Sequence, residues 1–462
     1  MLYQWRMINI IKRKSNDYEP LAPCSLPLAN LKNFLFFLYY YPPVPGTAAK
    51  RNGRISRAIS EKVQSTHIFT ASQIPDDQPI NKNSKVTTIA AFDYRNILRR
   101  NTKDGALPEN VKQHAAAQWM IRLINSFPFN IVVGEGGLIY FLNLLRKGSR
   151  AIRNEHITHL YSSYRPFADH YAAFLLKKKY PGICWIADFR DLMIDPHYNH
   201  ILYAGNHHTF FRKIFRKADL LTTVSDGLAA HLLAYNQNVI TVRNGIEGDI
   251  SQPHPILAST FTIAYTGSMF LDKRNVDPLF QALQELLQDA VIDGGDFSVI
   301  YAGKDGIFWK QVAEKYRLES LLDDIGIVSA DQAKQVQHDA CINVLLTVSS
   351  DQLQGVLTGK MIEYFQSGSP VLGIVVGQND PELQSILTEL EIGDSFSDQP
   401  SDLEPMKTFI LHEYLHWKNT GMNRKPVNTD ILRRKYSMDA VMAPLWSVLN
   451  KTIDVRLETS DS

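Results

Sequence analysis

Lys360 and Glu363 are the charged side chains whose spacing first indicates chemistry in this sequence. They lie three positions apart within residues 358–374, so a helix would carry both on one face. Gly359 precedes them, and the free N–H groups of a helix starting there could hold a phosphate, while the Glu363 carboxylate could accept hydrogen bonds from hydroxyl groups. A nucleotide-sugar pocket needs both features. The competing interpretation is an ordinary solvent-facing Lys–Glu pair.

Charged residues also follow a predicted buried strand in the first half of the chain. Asp188, Arg190 and Asp191 come directly after the apolar run 182–187. Charges at the carboxyl end of a strand are costly to place unless they meet a ligand or one another. Both interpretations remain open: a binding site, or a salt-bridged group that only holds the loop. Glu135, in a glycine-rich turn, is a weaker candidate for the same side of a site.

Glycines in loops after predicted strands indicate places where the backbone can approach a ligand. Gly46 ends a proline-rich loop between the apolar run 33–41 and a helix predicted over residues 52–63. A proline-rich surface turn is the alternative, but it does not account for the basic pair at 50–51. Gly267 and Gly303 likewise follow predicted strands.

Strands and helices alternate in two successive stretches, which predicts two α/β domains with parallel sheets. The polar, proline-containing segment 251–259 is the predicted boundary between them. Helical patterns at 110–126 and 429–450 belong to the first stretch and to the C-terminal end of the chain.

Residues 358–374 resemble the C-terminal signature of glycosyltransferase family 4, in which a Lys or Glu, a Glu, a small residue, a Gly and Pro-Val follow in order. Three further stretches match that family: Asp-x-Arg-Asp at 188–191, Val-Ser at 224–225 and Asn-Gly-Ile at 244–246. The resemblance covers about residues 33–450, and it comes from the ordered agreement of many weak signals.

The resemblance implies the GT-B fold, in which two Rossmann-like parallel-sheet domains face each other across a cleft. It also implies that a C-terminal helix crosses back to the first domain. The predicted parts are an N-terminal extension (1–32), an acceptor domain (33–250), a nucleotide-sugar domain (251–425) and a crossover helix with tail (426–462).

The activity implied is transfer of a sugar from a nucleotide-diphosphate donor to a hydroxyl acceptor, with retention at the anomeric carbon and a role in cell-surface polysaccharide or glycan assembly. The acceptor would be a carbohydrate or a lipid-linked glycan. A fixed cation is needed because the leaving diphosphate gains negative charge as the glycosidic bond breaks. No metal and no other cofactor is expected. The implied catalytic residues are Asp191, Arg190, Lys273 and Arg274, and the implied donor-binding residues are Gly46, Gly267, Gly303, Lys360 and Glu363.

The chain departs from the family pattern at two positions. The His that many members carry at the first-domain site is replaced, and Gly355 stands where the first Glu of an E-x7-E pattern would lie. Asp351 and Gln354 are the alternatives for the role of that Glu. These departures support one rival function, a catalytically silent binding protein that kept the fold. A nucleotide-sugar epimerase of the same architecture is a second rival.

Composition restricts the partners and the compartment. The chain has 49 basic and 47 acidic residues, a net charge of +2, which gives no whole-molecule case for nucleic-acid binding. Its three cysteines are far apart and favour a reducing compartment, the cytoplasm. The apolar run 34–41 is well short of the ~20 residues that cross a bilayer. The basic and apolar segment 1–14 leaves two alternatives open, peripheral contact with the inner face of a membrane or a locally packed extension.

Overall fold

A computed structural model of the chain contains two parallel β-sheets with helices packed against them. It describes residues 32–73, 83–92, 115–195, 200–248, 250, 254–269, 275–425 and 428–457.

The first domain is built on a seven-stranded sheet in the order β3-β2-β1-β4-β5-β6-β7, and its neighbouring strands are parallel. The strands are β1 (Asn33–Phe37), β2 (Ser65–Thr70), β3 (Ser84–Thr88), β4 (His159–Tyr164), β5 (Cys184–Phe189), β6 (Leu220–Thr223) and β7 (Val239–Thr241). The helices are α1 (Thr47–Ser60), α2 (Ala115–Asn125), α3 (Phe129–Val132), α4 (Gly137–Asn154), α5 (Phe167–Lys179), α6 (Ala204–Phe215) and α7 (Asp226–Leu232).

The apolar sequence of β1 explains its central place in this sheet. Successive side chains of a strand point to opposite faces. Leu35 and Phe37 accordingly join the core on one face, while Phe34 and Phe36 join the core on the other. A strand that is buried on both faces needs a continuous apolar run, as a parallel sheet covered by helices requires.

The second domain is built on a six-stranded parallel sheet in the order β10-β9-β8-β11-β12-β13. The strands are β8 (Phe261–Thr266), β9 (Phe297–Ala302), β10 (Leu322–Asp324), β11 (Ile342–Ser349), β12 (Val371–Gly377) and β13 (Gly393–Ser397). The helices are α8 (Asp277–Gln288), α9 (Gly306–Lys315), α10 (Ala330–Asp339), α11 (Lys360–Ser367), α12 (Pro381–Glu389), α13 (Leu403–Thr420) and α14 (Thr429–Tyr436), with 3₁₀ turns at Gly294–Asp296, Glu319–Leu321 and Pro400–Asp402.

The last helix, α15 (Met438–Leu457), returns to the first domain and packs against α1 and β7. Val441 and Leu445 of α15 are buried in the same core as Phe34. The chain crosses beside Gly245, where an added Cβ atom would lie 2.6 Å from the Met438 sulfur, so α15 packs closely against this glycine. The predicted fold class, including the helix that crosses back, is confirmed.

Two helix boundaries differ from the prediction. Helix α1 begins at Thr47 instead of residue 52, because Gly46 adopts a φ of 122° and turns the chain directly into the helix. The helical pattern over 429–450 is two helices, since Ser437 has an extended backbone that separates α14 from α15. The part of the predicted helix 110–126 that precedes α2 lies outside the described residues.

Candidate active site

Helices α1 and α11 meet at their N-terminal turns and join the two domains. The ammonium nitrogen of Lys50 lies 2.7 Å from Oε1 of Glu363. Both side chains keep access to solvent, with 47% of Lys50 and 25% of Glu363 exposed. The backbones are also close, because a Cβ atom on Gly359 would lie 2.7 Å from the Thr47 methyl carbon. The carboxylate predicted to hold donor hydroxyls therefore lies at the domain junction.

Helix α11 positions Lys360 and Glu363 by burying the residues between and after them. Met361, Ile362 and Phe365 pack into the second-domain core, which leaves the two charged positions on the opposite face. Gly368 ends the helix in the left-handed conformation. The predicted helix and its polar face are confirmed.

Lys360 reaches back to the end of β8. Its ammonium lies 4.0 Å from the centroid of the Tyr265 ring, a cation–π contact. A side chain on Gly267 would collide with this ammonium, and Gly267 has a φ of 123°. The backbone conformation therefore favours glycine at 267, and the absence of a side chain leaves the place that the Lys360 ammonium occupies. The structure brings Lys360 and Gly267 together as neighbours.

A hydrogen-bond chain connects Glu363 to the same strand end. The Gln337 amide donates to Thr266 Oγ1 at 2.7 Å and approaches Glu363 Oε2 at 3.5 Å. Gln337 is buried, so its position is fixed by the protein interior. The Glu363 carboxylate is thereby held between the end of β8 and Lys50.

Gly303 lies beside Gly267 at the next strand end. The Tyr301 hydroxyl donates to the Gly267 carbonyl at 3.1 Å and accepts from the Asp305 N–H at 2.8 Å. A Cβ atom on Gly303 would overlap both the Tyr301 hydroxyl and the Gly267 carbonyl. The carboxyl ends of β8 and β9 thus form one small-residue surface next to Lys360.

Gly46 lies one turn before Lys50, at the start of α1. No atom lies within 4 Å of the position of a Cβ on Gly46, so its glycine requirement comes from backbone conformation alone. On the facing segment, the Thr358 hydroxyl is shielded from solvent and has no hydrogen-bond partner among the described residues. A polar atom in that state is expected to meet a ligand or an ordered water.

The partner of Asp188 is Arg51, which sequence reasoning did not connect with it. Two guanidinium nitrogens of Arg51 donate to the Asp188 carboxylate at 2.8 and 3.1 Å, and Thr222 donates a third hydrogen bond. Burial alone would raise the pKa of Asp188, but the Arg51 charge holds it below its usual value. Arg190 instead donates to the Tyr164 carbonyl at 3.1 Å. One alternative from the sequence was a salt-bridged group of Asp188, Arg190 and Asp191. Asp188 is instead held by Arg51.

Asp191 is exposed at the end of β5, on the first-domain edge. Burial raises the pKa of Tyr164, Arg165 lowers it, and the negative charges of Glu135 and Asp191 raise it further. Glu135 and Asp191 are therefore both near enough to Tyr164 to act on its charge, and their place on an acceptor edge stays a prediction. Among the described residues, no hydrogen bond or ion pair links Asp191 to the Lys50–Glu363 pair.

Lys273 and Arg274 lie outside the described residues, so their assignment as cations for the leaving diphosphate stays a prediction. No group of three or more His, Cys, Asp or Glu side chains that could hold a metal ion occurs within the described ranges.

A second contact between the domains explains why Gly355 replaces the expected Glu. Glu382 at the start of α12 accepts hydrogen bonds from the N–H groups of Asp226 and Gly227 at 3.0 and 2.9 Å, and it pairs with Arg243 at 2.9 Å. A side chain on Gly355 would collide with the Glu382 carboxylate. Glycine at position 355 therefore allows the two domains to come into contact, and a glutamate there would not fit.

Sequence reasoning missed Lys50 and Glu382 as site residues. The basic pair after Gly46 stood out in the sequence, but Glu363, the partner of Lys50, lies 313 positions away. No sequence pattern pointed to Glu382.

No protein-family model and no curated protein sequence matches this chain. Solved structures do resemble it over nearly its whole length. Sucrose-phosphate synthase from Thermosynechococcus elongatus is 10% identical, with a TM-score of 0.59, and the match covers 92% of this chain and 100% of that one. The lipopolysaccharide outer core galactosyltransferase WaaB is 12% identical, with a TM-score of 0.53 over 91% of this chain and 100% of that one.

A third similar structure is a mutant of TarM from S. aureus. It is 9% identical, with a TM-score of 0.53, and the match covers 91% of this chain and 100% of that one. At such identities the likeness establishes the fold alone. The protein has the GT-B fold, with two Rossmann-like domains of seven and six parallel strands.

Proposed function

We propose that this protein is a glycosyltransferase that moves a sugar from a nucleotide-diphosphate donor to a hydroxyl acceptor. The donor would bind between α11 and the loop after β8, and the acceptor would bind at the first-domain edge that carries Arg190 and Asp191. The resemblance to glycosyltransferase family 4 supports retention at the anomeric carbon and a role in cell-surface glycan assembly.

The observation that carries this proposal is the convergence of Lys360, Glu363, Gly267 and Gly303 at one edge of the second sheet. Ligands of open parallel sheets bind at the carboxyl ends of the strands, which is the edge these residues share. Gly267 and Gly303 let the Lys360 ammonium and the Tyr301 hydroxyl pack closely against the strand ends at this edge. Lys360 and the N-terminus of α11 supply positive charge beside that space.

In this scheme the protein acts mainly by stabilising the departing diphosphate. Negative charge grows on the diphosphate as the glycosidic bond breaks, and cations fixed beforehand lower the barrier because they need no rearrangement. Lys360 supplies one such cation, and the predicted Lys273 and Arg274 would supply two more. The proton of the acceptor hydroxyl would pass to an oxygen of the donor phosphate, which needs no pair of catalytic carboxylates on the protein.

Glu363 would bind the hydroxyl groups of the donor sugar after its contact with Lys50 is exchanged. An ion pair with this much solvent exposure contributes only about 0–1 kcal/mol, so a ligand can replace it readily. Lys50 would then face the donor from the first domain. The pair thus marks the place where the two domains would close on a substrate.

Similar proteins support the substrate class. WaaB is described as a galactosyltransferase of the lipopolysaccharide outer core, and the TarM mutant was solved with UDP and α-GlcNAc-glycerol. We place the reaction in the cytoplasm, because the three cysteines of the sequence lie far apart, which favours a reducing compartment.

The test is to incubate the purified protein with a panel of nucleotide sugars, with and without carbohydrate acceptors. Release of nucleoside diphosphate that depends on the acceptor supports transfer. Donor interconversion would instead show an epimerase, and donor binding without turnover would show a silent binding protein.

Removing the predicted cations should slow the reaction. We expect Lys273→Ala/Arg274→Ala to lower turnover at least about tenfold, a loss of ~1.4 kcal/mol in transition-state stabilisation. Lys334→Ala, which removes an exposed lysine of α10, is the matched control. Equal turnover by the wild type, the double variant and Lys334→Ala would show that Lys273 and Arg274 take no part in the reaction.

A further inference from the structure

Arg424 is a fully buried cation in the second domain, between α13 and α14. Its side chain is 1% exposed, which is rare for an arginine unless its charge is paired. In the part of the chain that the structure describes, it donates five hydrogen bonds, to three backbone carbonyls, one hydroxyl and one imidazole nitrogen, and none to a carboxylate. The dipoles of these groups therefore have to offset the cost of removing the charge from water.

Two of the three carbonyls belong to the C-terminal turns of α10 and α11. Nη1 of Arg424 donates to the His338 carbonyl at 3.0 Å and also to the Ser367 carbonyl. The last four carbonyls of a helix have no partner within the helix and carry its negative dipole end, so a cation is favourable there. One guanidinium therefore fixes the ends of both helices relative to each other.

The same two helices carry groups of the proposed donor site. Gln337 immediately precedes His338 in α10, and Glu363 lies four positions, about one turn, before Ser367 in α11. The Gln337 amide donates to Thr266 and approaches Glu363 Oε2 at 3.5 Å. A shift of either helix end would therefore change the position of the Glu363 carboxylate.

A hydroxyl also links Arg424 to the backbone of Gln337. Ser369 Oγ accepts from Nη1 of Arg424 at 2.9 Å and donates to the Gln337 carbonyl at 3.2 Å. The buried Asn343 amide donates to the same carbonyl at 2.8 Å. The backbone of Gln337 is therefore held by groups outside its own helix.

Arg424 further holds the segment before β8, where the sequence predicts the domain boundary. Nη2 donates to the His254 carbonyl at 3.0 Å. The neighbouring Asn423 makes a matching pair of contacts, because its side-chain oxygen accepts from the Ile256 N–H and its amide donates to the His338 carbonyl, both at 3.0 Å. The end of α10 and the segment before β8 are thus fixed by the same two side chains.

We propose that Arg424 is a positioning residue for the donor site, which holds the ends of α10 and α11 so that Gln337 and Glu363 keep the geometry that a nucleotide sugar requires. Groups that bind a ligand have to be held to within about 0.5 Å of their productive position. Arg424 acts on the donor only through these two residues. The inference rests on the proposed function, because it concerns the same site.

The test is calorimetric binding of nucleotide sugars to the wild type and to variants at position 424. Arg424→Met should bind the donor about tenfold more weakly, because the two helix ends are no longer held to each other. Arg424→Lys keeps a cation with fewer donors, so its affinity should lie between those of the wild type and Arg424→Met. Steady-state kinetics should show a higher KM for the donor and an unchanged KM for the acceptor.

A matched control separates positioning from loss of stability. Lys407→Met removes another second-domain cation, which is 12% exposed and joins α13 to Glu285 of α8. It should bind the donor like the wild type. A variant that only unfolds in part lowers the number of binding sites in calorimetry and leaves the affinity of the folded fraction unchanged.

Ser369→Ala is a milder second variant, because it removes only the hydroxyl between Arg424 and Gln337. It should weaken donor binding about threefold. Wild-type affinity of folded Arg424→Met, or of Ser369→Ala where Arg424→Met does not fold, would overturn the positioning role, as would an equal loss of affinity in Lys407→Met. No donor binding by the wild type would instead overturn the proposed function, and the positioning role with it.

Discussion

Lys50 and Arg51 are adjacent in helix α1, yet they form ion pairs in opposite environments. Arg51 and Asp188 are 3 and 0% exposed, and both belong to the first domain. Lys50 and Glu363 are 47 and 25% exposed, and they belong to different domains. The buried pair is fixed by further hydrogen bonds from Thr222 and to Asn244. The exposed pair has far less holding it in place.

This difference would let one helix serve both the fold and the proposed substrate site. Breaking a buried pair leaves an uncompensated charge in a low-dielectric interior, so the pair stays closed. An exposed pair exchanges readily with water or ligand. The Arg51–Asp188 pair therefore anchors α1, and the Lys50–Glu363 pair at the domain junction can exchange with a ligand.

The largest expected effect comes from breaking the buried pair. Arg51→Met should lower the free energy of unfolding by about 3–5 kcal/mol, because the Asp188 carboxylate is left buried without its counter-charge. Lys50→Met, at the neighbouring position, should change it by less than about 1 kcal/mol. Urea denaturation of both variants measures the contrast. Similar losses for the two would show that the pairs do not differ as their burial indicates.

The pH dependence of the first domain should reflect its buried groups in the same way. Burial lowers the pKa of His159 and of His170 to about 3, so these histidines stabilise the fold fully above their unfolded value of 6.5 and progressively less as pH falls toward 3. Burial raises the pKa of Asp169 to about 8, which opposes this trend because the unfolded carboxyl ionises from 3.8 upward. Two histidines outnumber the one carboxyl, and the lowered pKa of buried His67 acts in the same direction. The free energy of unfolding should therefore rise with pH between pH 4 and 6.5, by about 1.4 kcal/mol per pH unit or more.

Hydrogen exchange of peptides from β4 and β5 measures this slope. Asp169→Asn removes the opposing group and should steepen the rise. A first domain whose protection is flat from pH 4 to 6.5 would contradict the assignment of neutral, buried histidines.

A smaller effect is expected at the other contact between the domains. Glu382→Ala removes the acceptor for two N–H groups of α7 and the partner of Arg243, and should cost about 1–2 kcal/mol of stability. Glu389→Ala, an exposed carboxylate at the end of the same helix, is the control. Thermal unfolding should also become less cooperative, because the domains are less firmly coupled. Identical unfolding curves for the two variants would show that Glu382 does not stabilise the contact between the domains.

Local sequence patterns predicted the fold and the helix that carries Lys360 and Glu363. Strand and helix alternation indicated both parallel sheets, and the spacing of Lys360 and Glu363 placed them on one helical face, because these relations span a few residues. The pairings of Arg51 with Asp188 and of Lys50 with Glu363 span 137 and 313 positions. Such contacts depend on how the strands are ordered in space, which a single sequence does not encode as a motif.

The most direct measurement of the central claim is calorimetric binding of nucleotide sugars to the wild-type protein and to Glu363→Ala. The account predicts that one nucleotide sugar binds the wild type and binds Glu363→Ala at least about tenfold more weakly, a difference of ~1.4 kcal/mol. Glu389→Ala should bind like the wild type. Equal affinity of Glu363→Ala and the wild type, or no binding of any nucleotide sugar to the wild type, would contradict a donor site at the junction of α1 and α11.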